Sequence, residues 1–231
     1  MTLPRLRPFP WTAALGPQLD SDSGRRLLNV LIALVALVVA LPLMLIIAAL
    51  IKLTSRGPVL FTQQRVGLDR RDPIHAGGNA RRHADHGGRT FTMYKFRTMR
   101  VNGGPTSQVW AQRDDPRVTA VGRVLRKLRL DELPQLWNVL VGDMNVVGPR
   151  PEQPAIFLAL REQIEEYPRR QRVLPGITGW AQINRAYDST VDDVREKLIY
   201  DLEYIRQRSA LEDLKIMLLT PAVMLGRRGG W

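Results

Sequence analysis

Hydrophobic residues follow three different rhythms along this chain. Across 27–53 they run almost without a break, interrupted only by Asn29, Pro42 and Lys52. That run exceeds the ~20 apolar residues a membrane-spanning helix needs. Arg25 and Arg26 precede it, and Lys52 and Arg56 follow it. The flanks therefore lack the basic asymmetry that sets the direction of a spanning helix. Pro42, near the middle, removes a backbone hydrogen bond and favours a kink. Two arrangements fit: a kinked helix that crosses the bilayer, or a bent one that enters and leaves by the same face.

The second rhythm is short and rich in Val, Phe, Thr and Tyr. Residues 59–66 and 90–97 read as two strands of a hairpin. Between them, 69–89 are crowded with Arg, Gly, Asp and His, a long polar insertion.

The third is helical. Val121, Val124, Leu125 and Leu128 recur at i, i+3, i+4 and i+7, and Leu133, Leu136, Trp137 and Leu140 repeat the spacing. This predicts two consecutive helices. Asp131 falls at the N-cap of the second, with Pro134 in its first turn and Gly142 just past its end. Further helices are expected over about 153–166, from Val191 through Val194, Leu198, Leu202 and Ile205, and over 211–225, an apolar stretch interrupted by Pro221. The last reads equally as a core helix or as one lying in a membrane interface. Residues 1–24 carry Pro4, Pro8, Pro10 and Pro17 without periodicity and read as a flexible tail.

Charge sharpens this outline. The 231 residues hold 34 Lys and Arg against 22 Asp and Glu, a formal net charge of +12, which implies an anionic partner. Nucleic acid, an anionic membrane surface and phosphorylated substrates all qualify. Aromatic residues make up only 6% and do not alternate with the basic ones, so nucleic acid is not the expected partner. Cysteine is absent, which rules out a disulfide framework and a Cys-based metal site. His75, His83 and His86 all lie in the insertion, where no helix sets them at ligand spacing.

The adjacent carboxylates Asp131 and Glu132 are the chemical focus. A helix start attracts anions, so it holds a carboxylate ionised and also welcomes a phosphate. Asp131 is either a simple cap or a nucleophile. Downstream, Arg150 sits between Pro149 and Pro151, a rigid turn suited to bidentate phosphate binding. The Pro175-Gly176-Ile177-Thr178-Gly179 turn fits neither a dinucleotide fingerprint nor a P-loop.

Several blocks together resemble the bacterial sugar transferases, the monotopic phosphoglycosyl transferases that act on polyprenyl phosphate. They are Tyr94-Lys95-Phe96-Arg97-Thr98-Met99, Leu130-Asp131-Glu132-Leu133-Pro134-Gln135-Leu136-Trp137-Asn138-Val139, Gly142-Asp143-Met144, Val147-Gly148-Pro149-Arg150-Pro151, Pro175 through Asn184, and Asp213-Leu214-Lys215-Ile216. The resemblance implies transfer of a sugar 1-phosphate from a nucleotide sugar, a UDP-hexose, to undecaprenyl phosphate, at the cytoplasmic face of the bacterial inner membrane. It implies Asp131 as nucleophile with Glu132 as dyad partner, and Mg2+ as cofactor held through the same two carboxylates. Lys95, Arg97, Arg126 and Arg150 are the phosphate-binding candidates; Gln182 and Asn184 match a block that lines the nucleotide-sugar site.

The expected fold is α+β and mostly helical. A re-entrant, proline-kinked membrane helix over 25–56 packs on a small cytoplasmic catalytic domain over 57–231, with a β-hairpin and interfacial helices. The chain reads as the minimal catalytic form, and a homodimer is one arrangement left open. Two departures stand out: Asn29, where the family commonly has Asp, and Leu174, where a basic residue often precedes the Pro-Gly-Ile-Thr block. The competing reading is a membrane-anchored basic module that grips anionic lipid or nucleic acid without catalysis, its carboxylates merely capping.

Overall fold

The computed structural model describes residues 19–70, 87–100, 115–185 and 190–226. Most of the histidine-bearing insertion and of the Gly103-Gly104 loop lies outside them. The apolar run forms α1 (Leu19–Thr54), a helix that contains Pro42 without interruption and starts inside the stretch expected to be tail. It is long and apolar enough to cross a membrane.

One face of α1 lies along the rest of the protein. Arg25, Asn29, Ala33, Ile47 and Ile51 are buried on that face, with Ala36, Leu37, Met44 and Ala48 partly covered. These positions recur every three or four residues, as a single helical stripe must. The opposite face, including Leu31, Val35, Val38, Val39 and Ile46, is exposed. Both ends are tied down by polar bonds. At the start, Arg25 forms a buried ion pair with Asp213 at 2.8 Å and donates to the Tyr204 hydroxyl. Arg26 donates to the carbonyls of Val139 and Met144. Asn29, the departure from the family pattern, accepts from the Val146 amide at 2.7 Å and donates to the Arg25 carbonyl. At the other end, Arg97 donates to the carbonyls of Ser55 and Arg56.

The hairpin forms as expected. Strand β1 (Leu60–Val66) pairs antiparallel with β2 (Thr90–Phe96), Leu60 opposite Phe96 and Val66 opposite Thr90. Phe91 and Met93 of β2 pack with Ala33 of α1 and with Leu136 and Val139. Two helices follow: α2 (Ala120–Lys127), capped by the Thr119 hydroxyl, and α3 (Gln135–Val141), closed by Gly142 at φ 94°, a left-handed cap that suits glycine. Helix α2 sits directly on the chain after β2. A Cβ on Gly122 would come within 2.0 Å of the Thr98 carbonyl, so only glycine permits that approach.

The expected apolar stripes of these two helices are only half buried. Leu125 and Leu136 are inside, but Val124 (55% exposed), Leu128 (45%) and Trp137 (53%) are not. Both helices pack on α1, and each also leaves apolar side chains exposed outside the core.

The remainder closes around a second small sheet. Strand β3 (Asn145–Val147) runs parallel to β4 (Gly176–Thr178). Between them lie α4 (Pro154–Gln163) and a 3-10 turn (Tyr167–Arg172). Then come α5 (Trp180–Asn184), α6 (Val191–Gln207), opened by a Thr190/Asp193 capping box, and α7 (Ala210–Gly226). In α7 Asp213 and Ile216 face inward, whereas Leu211, Leu214 and Leu218 are exposed. The helix thus serves as core on one side and presents apolar residues on the other.

Candidate active site

The two carboxylates do not cap a helix. Leu130–Glu132 form one 3-10 turn, entered through Arg129 in the left-handed region at φ 57°. The chain from Arg129 to Trp137 proceeds by i to i−3 bonds, such as Leu133 N to the Leu130 carbonyl and Leu136 N to the Leu133 carbonyl. The left-handed Arg129 and the 3-10 bonds after it put Asp131 in a turn of its own, and the α-helix begins only at Gln135, with Pro134 as its cap residue.

Released from capping, the two side chains take opposite roles. Both residues are buried, Asp131 8% and Glu132 7% exposed. Glu132 Oε1 receives Lys95 Nζ at 2.9 Å and Arg150 Nη2 at 2.6 Å, and Arg129 lies 3.6 Å away. Burial alone would raise the Glu132 carboxyl. The charges of Arg150 and Lys95, with the Arg150 hydrogen bond and Arg129, outweigh it and hold the group well below the usual carboxylate range. Asp131 differs: its Oδ1 is buried with no hydrogen-bond partner. Burial pushes its carboxyl upward, opposed by Lys95, reinforced by Glu132, and opposed again by Arg150 and Arg129. Leaving a buried oxygen unmatched costs about 1–3 kcal/mol, which in native proteins calls for a reason.

Lys95 enters from the end of β2 and Arg150 from the loop after β3. Burial lowers the Lys95 ammonium while Glu132 opposes that shift, and the charge of Glu132 raises Arg150. The loop carrying Arg150 is anchored: the carbonyls of Pro149, Arg150, Pro151 and Glu152 accept bonds from Gly176 N, Arg170, Arg65 and Val66 N. Arg126 on α2 donates through Nε to the Thr98 hydroxyl at 2.9 Å, and the charge of Asp131 acts on it.

The other expected residues sit elsewhere. Arg97 follows Lys95 by two positions but lies past the end of β2, and its guanidinium is taken up by the carbonyls that close α1. Gln182 donates to the Ile177 carbonyl, and Asn184, exposed, donates to the Trp180 carbonyl. Arg129 was not among the expected phosphate ligands. The left-handed backbone that brings it to Glu132 has no signature in a sequence where glycine or asparagine is the usual occupant.

Among the described residues, no three His, Asp or Glu side chains gather around one point. Mg2+ is commonly held by one or two carboxylates together with substrate phosphates. Asp131 Oδ1 has an open oxygen for that purpose, whereas Glu132 is engaged by cations. The residues fit a metal shared between Asp131 and a bound diphosphate.

A long apolar helix packs beside a buried carboxylate pair ringed by guanidinium and ammonium groups. The family model of the bacterial sugar transferases matches residues 21–227, and the chain belongs to that family. It is 42% identical over 201 residues to the UDP-N-acetylgalactosamine-undecaprenyl-phosphate N-acetylgalactosaminephosphotransferase of Aeromonas hydrophila, covering 87% of this chain and 43% of that protein. Against the undecaprenyl-phosphate glucose phosphotransferase of Komagataeibacter xylinus, identity is 45% over 197 residues, 82% of this chain and 34% of the other. A UDP-glucose:undecaprenyl-phosphate glucose-1-phosphate transferase of Caulobacter vibrioides is 40% identical over 211 residues, 90% and 72% of the two lengths. The chain thus spans less than half the length of the first two.

Proposed function

We propose that this protein transfers a sugar 1-phosphate from a UDP-hexose to undecaprenyl phosphate, at the cytoplasmic face of the bacterial inner membrane, through a covalent intermediate on Asp131. The observation that carries the reading is the contrast within the pair: Glu132 is saturated by cations, while Asp131 keeps a buried oxygen with no partner among those same charges. A poised, unmatched carboxylate next to fixed cations is what attack on a phosphate diester requires.

In the first step an Asp131 oxygen attacks the phosphorus that bears the sugar. The new O–P bond forms as the bond from that phosphorus to the bridging oxygen breaks, and UMP leaves with that oxygen. In the second step an oxygen of undecaprenyl phosphate attacks the same phosphorus, which frees Asp131 and yields the lipid diphosphate sugar. Lys95, Arg129 and Arg150, held by Glu132, present positive charge to the phosphoryl oxygens. Glu132 acts as the post to which they are tied and not as a second nucleophile. Mg2+, bound by Asp131 and the substrate diphosphate, would supply charge neutralisation.

The anchor supports the membrane assignment and its re-entrant form. Arg25 near its start and Ser55 just past its end are both bonded to the same domain. A helix that crossed the bilayer would carry one of these attachments, and the domain with it, to the far side.

Purified protein incubated with UDP-hexoses, Mg2+ and undecaprenyl phosphate is expected to release UMP, and Asp131→Asn to abolish release. Turnover by Asp131→Asn at the native rate would refute the nucleophile. For the anchor, single cysteines at Asp20 and Thr54 should be labelled from the same side of a sealed vesicle; labelling from opposite sides would refute the re-entrant form.

A further inference from the structure

A guanidinium discriminates a phosphate only if the backbone beneath it stays in place. At 149–152 four consecutive carbonyls are held: Pro149 by Gly176 N at 3.0 Å, Arg150 by Arg170 Nη2 at 2.9 Å, Pro151 by Arg65 Nη1 at 3.0 Å, and Glu152 by Val66 N at 2.8 Å. Two of these donors are backbone amides and independent of side-chain identity. The bond to Arg150's own carbonyl comes from a side chain deep in the protein.

Arg170 is 3% exposed; both its terminal nitrogens are engaged, while Nε has no partner. Its Nη1 donates to the Tyr167 hydroxyl at 2.6 Å, it lies 5.0 Å over the Tyr167 ring, and it pairs with Asp201 of α6 at 2.8 Å, both side chains 3% exposed. Tyr167 in turn rests on Phe157, ring centroids 5.5 Å apart. A buried ion pair is a poor device for stability, since hydrophobic residues of equal volume often do as well. No hydrophobic residue, however, can donate to the Arg150 carbonyl. We propose that Arg170 is a positioning residue: braced by Asp201 and Tyr167, it fixes the Arg150 backbone so that the Arg150 guanidinium meets Glu132 and the substrate phosphate in one geometry.

This inference rests on the site taking an anionic diphosphate, and its test separates that premise from the transferase reading. Affinity for inorganic pyrophosphate, measured by calorimetry on the full chain in detergent, is compared for the native protein, Arg150→Lys, Arg170→Lys and the double variant. Rates of UMP release are measured in parallel, per folded molecule, well below each melting temperature. Arg170→Lys keeps the charge beside Asp201 but cannot reach all three partners. Each single variant is expected to lose about 10- to 100-fold in kcat/KM, the scale of a displacement near 1 Å. Both should also weaken pyrophosphate, and the double should lose little more than either alone, because the two act through one group. Multiplicative losses in the double, or an Arg170→Lys protein of lower melting temperature with unchanged affinity and rate, would overturn the proposal. Tyr167→Phe, which keeps the ring and removes one brace, should show a loss of a few fold that is likewise non-additive with Arg150→Lys. If Arg170→Lys does not fold, that second cycle decides, and additivity there refutes. Pyrophosphate binding without UMP release from any UDP-hexose would refute the transferase while leaving the cycle to judge Arg170.

Discussion

Asp131 and Glu132 are sequence neighbours with nearly equal burial, yet neutralising them should change stability in opposite directions. Glu132→Gln removes the negative charge that Lys95, Arg150 and Arg129 surround most closely, their side chains being 16%, 28% and 30% exposed. Removing one partner of a buried pair costs about 3–5 kcal/mol. The carboxamide still accepts a hydrogen bond and both arginines reach some water, which places this variant near the lower bound, about 3 kcal/mol. At roughly 2–4 °C per kcal/mol for a chain of this length, the melting temperature should fall by about 6–12 °C. Asp131→Asn instead removes a charge that burial disfavours, so its melting temperature at neutral pH should equal or exceed that of the native protein.

The pH dependence follows from the two shifts. The folded Glu132 carboxyl is depressed, so its contribution is present above the unfolded carboxylate value and lost as pH falls through the folded one. The folded Asp131 carboxyl is raised, so the fold is favoured below the unfolded value and weakened as pH rises through the folded one. The gap between Glu132→Gln and the native protein should close in acid. The gap for Asp131→Asn should open from acid toward neutral. Thermal unfolding in detergent from pH 3 to 8, without nucleotide, measures both. A Glu132→Gln protein within about 2 °C of native at neutral pH, less than a single kcal/mol would produce, would refute the reasoning. So would parallel losses in the two variants.

Three further outcomes are expected. In the metal-free protein without nucleotide, the Asp131 carboxyl, followed by infrared difference against Asp131→Asn, should titrate above the ordinary Asp value of 3.8; a midpoint at or below 3.8 would contradict its burial. Asp213→Asn removes the buried carboxylate that Arg25 pairs with and should lose about 3–5 kcal/mol, read as melting temperature and yield of folded protein. Asn29→Leu orphans the Val146 amide and should cost about 1–3 kcal/mol in the same assay, with UMP release per folded molecule retained.

Local rhythm was enough to read the hairpin, α2, α6 and the glycine cap of α3, because each is set by residues close in sequence. Convergence on Glu132 was not legible, since Lys95 and Arg150 reach it across 37 and 18 residues. Arg97 shows the limit of alternation. Two residues after Lys95 it belongs on the same strand face, but β2 ends at Phe96 and the chain turns toward α1. The N-cap expected at Asp131 rested on capping preference with Pro134 in the first turn; the left-handed Arg129, which has no sequence signature, sets a separate 3-10 turn there instead. Val124, Leu128 and Trp137 lie on the expected apolar stripes and yet are exposed, because helical period marks an apolar face but not what will cover it.

The double attachment of α1 carries a kinetic consequence. Arg25 and Ser55 are both fastened to the rest of the protein, so if α1 anchors the chain in a membrane as proposed, it has no free length to serve as a tether and the domain cannot swing away from the bilayer. On the proposed function, the site stays at constant height above the lipid headgroups. The polyprenyl acceptor then reaches Asp131 by lateral diffusion in the plane of the bilayer, and only the nucleotide sugar arrives in three dimensions. Encounter with the acceptor should scale with its surface density in the membrane, not with its bulk concentration.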